Sequence, residues 1–130
     1  MNANASANAY KQQQIMTAPP EELTLMLYNG AIRFVSESIL ALDAGDLQKS
    51  HNQNMRAQDI VKEFMCTLDM QYELSQGWFQ LYEYIEYRLI QANLKKDKEM
   101  LVEAKGLLTE LRDAWFQAIK QLRPAQAVGR

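Results

Sequence analysis

His51 and Cys66 are the single histidine and single cysteine of this 130-residue chain. A structural zinc site takes four ligands, and three in a catalytic one, from Cys, His and carboxylates. A di-iron bundle takes two Glu-x-x-His pairs. Neither pattern exists here, so the sequence predicts no metal and no cofactor. Gly30, Gly45, Gly77, Gly106 and Gly129 stand apart, so there is no glycine-rich cradle for phosphates. No Ser or Cys nucleophile has an evident partnering base. What remains for chemistry is a set of cations. Arg33, Arg56, Arg88 and Arg112 could hold a dicarboxylate inside a helical bundle, as all-helical mutases do. Against that reading, no two of them share an inward seam, so they are expected to be solvated or to lay their stems over apolar surface. His51 is expected to be a partly exposed helix residue and Cys66 to have no chemical role. No catalytic residue is predicted.

The elements that would position such groups are helices. No segment alternates with period two, so no sheet is expected. Pro19 and Pro20 open a long apolar-periodic segment, with Glu21 and Glu22 at its positive dipole end. Gly45 predicts a left-handed stop and Asp46 the next N-cap, making "DAGDLQ" a tight turn. A second helix runs to about Leu68, and "DMQYELSQG" is expected to be a loop. A third helix carries "WFQLYEYIEYRLIQANL". Asp97 caps a fourth, which is expected to end near Leu122 because Pro124 opposes extension. Short joins predict antiparallel neighbours. The expectation is all-α: an antiparallel four-helix bundle over residues 19–123, a mobile N-terminal arm over 1–18 and a frayed tail over 124–130.

The fourth helix has one seam: Leu101, Ala104, Leu108, Leu111, Trp115, Ala118 and Leu122. In the second, Ala57, Ile60, Val61, Phe64 and Leu68 form a stripe, with polar Ser50 and Asn54 at inward positions. The first helix has two seams, one through Leu23, Leu27, Gly30, Ala31, Phe34 and Ala41, the other through Leu25, Tyr28, Ile32, Val35, Ile39 and Leu42. In the third, Trp78, Leu81, Tyr82, Ile85, Leu89 and Ala92 form a seam, while Phe79, Tyr84, Tyr87, Ile90 and Leu94 lie off it. A bundle helix needs an apolar stripe of about 100°. The surplus predicts apolar grooves beside the first and third helices that serve a partner, with full burial in the core as the alternative.

Composition limits the partners. A net charge of -2 and a pI of about 5.4 give no global field for nucleic acid or an anionic membrane. One cysteine cannot form an internal disulfide, which fits a reducing compartment. No apolar run approaches the roughly 20 residues of a spanning helix, and "MNANASANAYKQQQ" lacks the marks of a signal peptide. A cytoplasmic protein without membrane insertion is expected.

Four blocks in order carry a family likeness: "AYKQQQIMTAPPEELTLMLYNGAIRF", "AQDIVKEF…LD", "LYEYIEYRLIQANLKKD" and "LLTELRDAW". From about Ala9 to Ile119 the chain resembles the FliS flagellar secretion chaperones. Their pattern opens with AY, then T-A-S-P, then LxLMLYDGAIxFL. Pro19 stands where that family often has a Ser N-cap, Asn29 replaces an Asp, the loop after Asp69 is slightly short, and Ala7 stands where some members carry a larger apolar residue. The resemblance implies a cytoplasmic export chaperone that binds the disordered C-terminal segment of flagellin, prevents premature polymerisation and delivers it to the flagellar type III export apparatus.

Residue by residue, the resemblance carries over Tyr10 as the arm tyrosine that docks on the export gate protein. It also carries over Leu27, Tyr28 and Gly30 from the LYxG block, and Tyr82, Tyr84, Arg88 and Asn93 from the LYxYxxxRLxxAN block. Tyr87, off the core seam, joins them as a client-facing candidate. Tyr10 and Ile15 are expected to pack on the bundle when no client is bound and to leave when it binds. The alternatives are a helical adaptor that self-associates weakly through its surplus faces, and the mutase-type enzyme.

Overall fold

The computed structural model describes residues 18–128, with side chains described as far as Gln121. Four helices make up this span: α1 (Pro20–Asp43), α2 (Leu47–Thr67), α3 (Leu74–Lys95) and α4 (Lys98–Val128). There is no strand among the described residues. Each helix packs on two neighbours in a ring, α1 on α2 and α4, and α3 on α2 and α4. Ser38 of α1 bonds Ser50 of α2, and Lys98 at the start of α4 pairs with Asp43 at the end of α1. Such contacts make each neighbour antiparallel.

The helix ends follow local chemistry. Pro19 is the N-cap of α1 and supplies no side-chain cap. Gly45 has a φ of 77° and closes α1, and Asp46 Oδ1 accepts from the Lys49 amide at 3.1 Å. Lys96 takes the left-handed conformation at the end of α3 with a φ of 54°, a position where glycine is usual. Asp97 Oδ1 then caps α4 through the amides of Glu99 and Met100.

Two boundaries differ from the sequence expectation. α3 starts at Leu74, so "LSQG" is its first turn rather than loop; Ser75 Oγ donates to the Asp69 carbonyl and anchors that turn. α4 continues to Val128 with Pro124 inside it, so residues 124–128 are helical, not a frayed tail. Proline lacks one amide donor and so forgoes a single ladder bond. The helix turns already formed on both sides carry it through.

Aromatic and aliphatic residues of all four helices fill the core: Tyr28, Val35, Val61, Phe64, Tyr82, Ile85, Leu89, Leu101 and Leu108. On α4 the buried line is Leu101, Ala104, Leu108, Leu111 and Ile119, with Trp115 half-buried and Ala118 exposed. Leu101 and Ile119 are five turns apart at 3.6 residues per turn, so Ile119 returns to the core azimuth and Ala118 does not. On α1 the buried line, Tyr28, Ala31, Val35, Ser38 and Ala41, lies between the two expected seams and draws from both. Leu27, Ile32, Phe34, Ile39 and Leu42 flank it, half-buried against the core. The breadth of the α1 apolar surface therefore serves two neighbouring helices more than a partner. α1 is also 24 residues long and apolar enough by length and composition to cross a membrane, contrary to the sequence expectation. Buried Ser38 and the packing of its flanks on α2 and α4 account for that composition in a bundle helix.

One end of the bundle is polar inside. Ser38 and Ser50 exchange hydroxyl bonds with each other and with each other's carbonyls at 2.8 to 3.0 Å. Asn54 Nδ2 donates to the Leu89 carbonyl, and Asn54 Oδ1 accepts from Gln58 Nε2. Every bonded partner here is buried, as an interior polar group requires.

Candidate functional site

At the opposite end the antiparallel order gathers the aromatics. The first half of α1 brings Tyr28, the end of α2 Phe64, the start of α3 Trp78 and Tyr82, and the late part of α4 Trp115. Together with Leu68, Leu74 and small or polar neighbours they line a half-open cleft of about 380 Å³. Its floor is a stack. The Tyr28 and Phe64 rings lie 4.4 Å apart between centroids, and Phe64 and Tyr82 5.3 Å. The hydroxyls of Tyr28 and Tyr82 share a 2.6 Å hydrogen bond across the core. Burial pushes the Tyr28 phenol well above the ordinary tyrosine value, and the neighbouring Tyr82 adds to the rise. Burial raises Tyr82 too, while its bond from Tyr28 works the other way. Trp115 forms one wall and donates its indole N–H to the Glu21 carbonyl at 2.8 Å, tying α4 to the first turn of α1.

The expected site residues fall into separate places. Tyr28 and Tyr82 are core residues that present only the floor of this cleft. Leu27 and Gly30 are half-buried, on the side of α1 that meets α2; a Cβ at Gly30 would meet Ile60 of α2. Asn93 is half-buried and holds α2 to α3 through His51 Nδ1 at 2.8 Å, with Lys96 Nζ on its Oδ1 at 3.0 Å. Tyr84, Tyr87 and Leu94 are exposed on the outside of α3. Tyr84 donates its hydroxyl to Glu103 at 2.9 Å, which raises its pKa, and Arg88 pairs with the same carboxylate. Tyr10 and Ile15 lie outside the described residues.

The four arginines occupy three different grooves: Arg33 and Arg56 beside Phe34, Arg88 on Glu103, and Arg112 between Asn29 and Asp113. They share no inward pocket, which leaves the mutase reading without its binding site. Among the described residues no group of three metal-ligating side chains comes together. The aromatic cleft itself was not anticipated. Its signal was in the sequence, because an up-down order places early α1, late α2, early α3 and late α4 at one end, and each carries an aromatic there.

Comparison with known proteins decides the family. The family profile described as "Flagellar protein FliS" matches residues 2–122. The chain belongs to the FliS family. The flagellar secretion chaperone FliS of Bacillus subtilis is 43% identical over 115 residues, covering 88% of this chain and 86% of that protein. The FliS of Salmonella typhimurium is 31% identical over 116 residues, covering 87% and 86%. A solved bacterial flagellar chaperone superposes with a TM-score of 0.73 over 92% of this chain and 99% of that one, and at 20% identity it attests the shared fold. The relatives are named chaperones. Their family is thus one of flagellar secretion, with a flagellar protein as the implied partner.

Proposed function

We propose that this FliS-family chain is a cytoplasmic chaperone for flagellin: it binds the disordered C-terminal segment, keeps it from polymerising and hands it to the type III export gate. The observation that supports this most is the outer face of α3. Tyr84, Tyr87 and Leu94 are 42%, 55% and 74% exposed along a helix whose inward side is already filled. A terminal segment that folds on binding needs such surface, because its ordering costs several kcal/mol that apolar burial must offset. The arm belongs to the same reading. Tyr10 and Ile15 rest on the bundle in the free chain, and client binding releases Tyr10 for the gate.

Titration calorimetry of the full chain against the flagellin C-terminal segment tests the first part; a folded chain giving no heat and no complex refutes it. Amide exchange tests the second. Residues 8–16 should lose protection when the client binds, and equal fast exchange in both states would reduce the arm to a passive tail.

A further inference from the structure

The cleft at the aromatic end has a chemistry that the bundle does not use. All four helices line it, so it is an end pocket rather than a groove between two helices. Its volume of about 380 Å³ suits a small molecule. Beside Trp115 the α4 residues on its wall are Ala114 and Ala118, both exposed, where larger side chains would plug the bundle end. The Trp78 and Tyr82 rings lie 6.2 Å apart between centroids with 52° between their planes, so two aromatic rings meet at a corner. Trp115 adds a third. The faces of such rings carry negative potential and attract cations.

The charge of the lining points the same way. Asp69 is the one lining residue charged at neutral pH, and no Lys, Arg or His lines the cleft. Asp69 Oδ1 accepts from the Gln71 amide at 3.0 Å, which holds the carboxylate in the turn before α3. Its Oδ2 has no protein partner among the described residues. We propose that this cleft binds a small organic cation, a quaternary ammonium on an apolar body, with the body among the rings and the charge beside Asp69. A quaternary ammonium needs no hydrogen-bond acceptor on leaving water. A primary one carries three donors, and Asp69 offers the only carboxylate here. An anion would meet both the carboxylate and the negative ring faces. The site is separate from the outer face of α3 and does not rest on the flagellin reading.

Trp78 and Trp115 are the two tryptophans of the chain, and both line the cleft, so tryptophan emission reports on it directly. The test is titration of the full chain with benzyltrimethylammonium chloride. Emission should follow a saturating curve with a Kd of about 1 mM, and sodium chloride at equal concentrations should not produce it. Benzyl alcohol and benzoate, the same ring neutral and anionic, should bind at least about fivefold more weakly. Asp69→Asn keeps an acceptor for the Gln71 amide; it should weaken the cation by about three- to tenfold and leave benzyl alcohol unaffected. Ala118→Leu fills the cleft and should abolish saturation while circular dichroism and the urea midpoint show the bundle intact; Ala114→Leu does the same if that variant does not fold. No saturation by the parent chain overturns the proposal. Equal binding of benzyl alcohol, or no effect of Asp69→Asn, overturns it in favour of an unselective apolar pocket. Saturation that survives in the folded Leu variants places the ligand elsewhere and overturns the site. Saturation that appears only when residues 1–17 are removed gives the cleft to the arm and overturns it as a ligand site.

Discussion

Replacing either tyrosine of the core pair by phenylalanine should destabilise the bundle, whereas replacing both should nearly restore it. Tyr28 and Tyr82 are 1% and 5% exposed, and their hydroxyls bond each other at 2.6 Å. Phenylalanine keeps the ring stack with Phe64 and opens no cavity. Tyr82→Phe leaves the Tyr28 hydroxyl buried without its partner, at a cost of about 1 to 3 kcal/mol. The nearby cleft gives water partial access, which favours the lower half of that range. The double variant removes donor and acceptor together and should lie within about 1 kcal/mol of the parent, a coupling of about 1 to 2 kcal/mol. In urea, with a slope near 1.5 kcal/mol/M, each single variant should lower the midpoint by about 1 M. High pH gives a second readout. Both phenols titrate above their unfolded value, so their contribution is complete below about pH 10 and is lost as pH rises toward the folded pKa values. In that window the unfolded state holds fewer protons, and stability should fall by up to about 1.4 kcal/mol per pH unit for each tyrosine. The double Phe variant should lack this part of the decline. Strictly additive single effects, or an unchanged alkaline slope in the double variant, would refute the reasoning.

Trp115→Ala should cost about 2 kcal/mol, less than the 3 to 5 of a fully buried tryptophan because the ring is a half-buried cleft wall, even though its N–H bond to the Glu21 carbonyl is lost as well; a loss under about 1 kcal/mol in chemical denaturation would mean that the cleft wall is not packed. Tyr84→Ala should leave the unfolding midpoint unchanged and weaken flagellin binding; a collapsed fold with normal binding per folded molecule would make Tyr84 structural. Gly30→Ala should raise stability by about 0.5 to 1 kcal/mol, since the added methyl meets Ile60 at an ordinary distance; a lower melting temperature would show that the α1–α2 contact is tighter than the geometry indicates.

The fold was largely legible because its signals are local. Gly45, Asp46 and Asp97 end or begin helices through their own backbone and side-chain bonds, which depend on nothing distant. Where the sequence misled, a tertiary term intervened. α3 gains a turn because Ser75 finds the Asp69 carbonyl. α1 looked oversupplied with apolar residues because a helical wheel does not know that two neighbours divide its face. The candidate site was less legible for a related reason. A family block such as LYxG or LYxYxxxRLxxAN joins residues that share sequence but not azimuth. Tyr28 and Tyr82 point inward, Tyr84 outward, and Asn93 holds α2 to α3 through His51.

The two ends of the bundle divide the work that holds this fold in one register. At one end the Ser38–Ser50 exchange and the bond from Asn54 to the Leu89 carbonyl are directional, and a slip of any helix would orphan buried polar groups. At the other end the contacts are aromatic and largely non-directional, apart from the Tyr28–Tyr82 bond and the Trp115 tie. Burial of rings tolerates small shifts that hydrogen bonds do not. Register fixed at the polar end lets the aromatic end keep a cleft of about 380 Å³ without the helices sliding to close it. A chaperone that accepts a client by burying apolar surface needs such a division, because a fold dependent on its own open surface would collapse onto it.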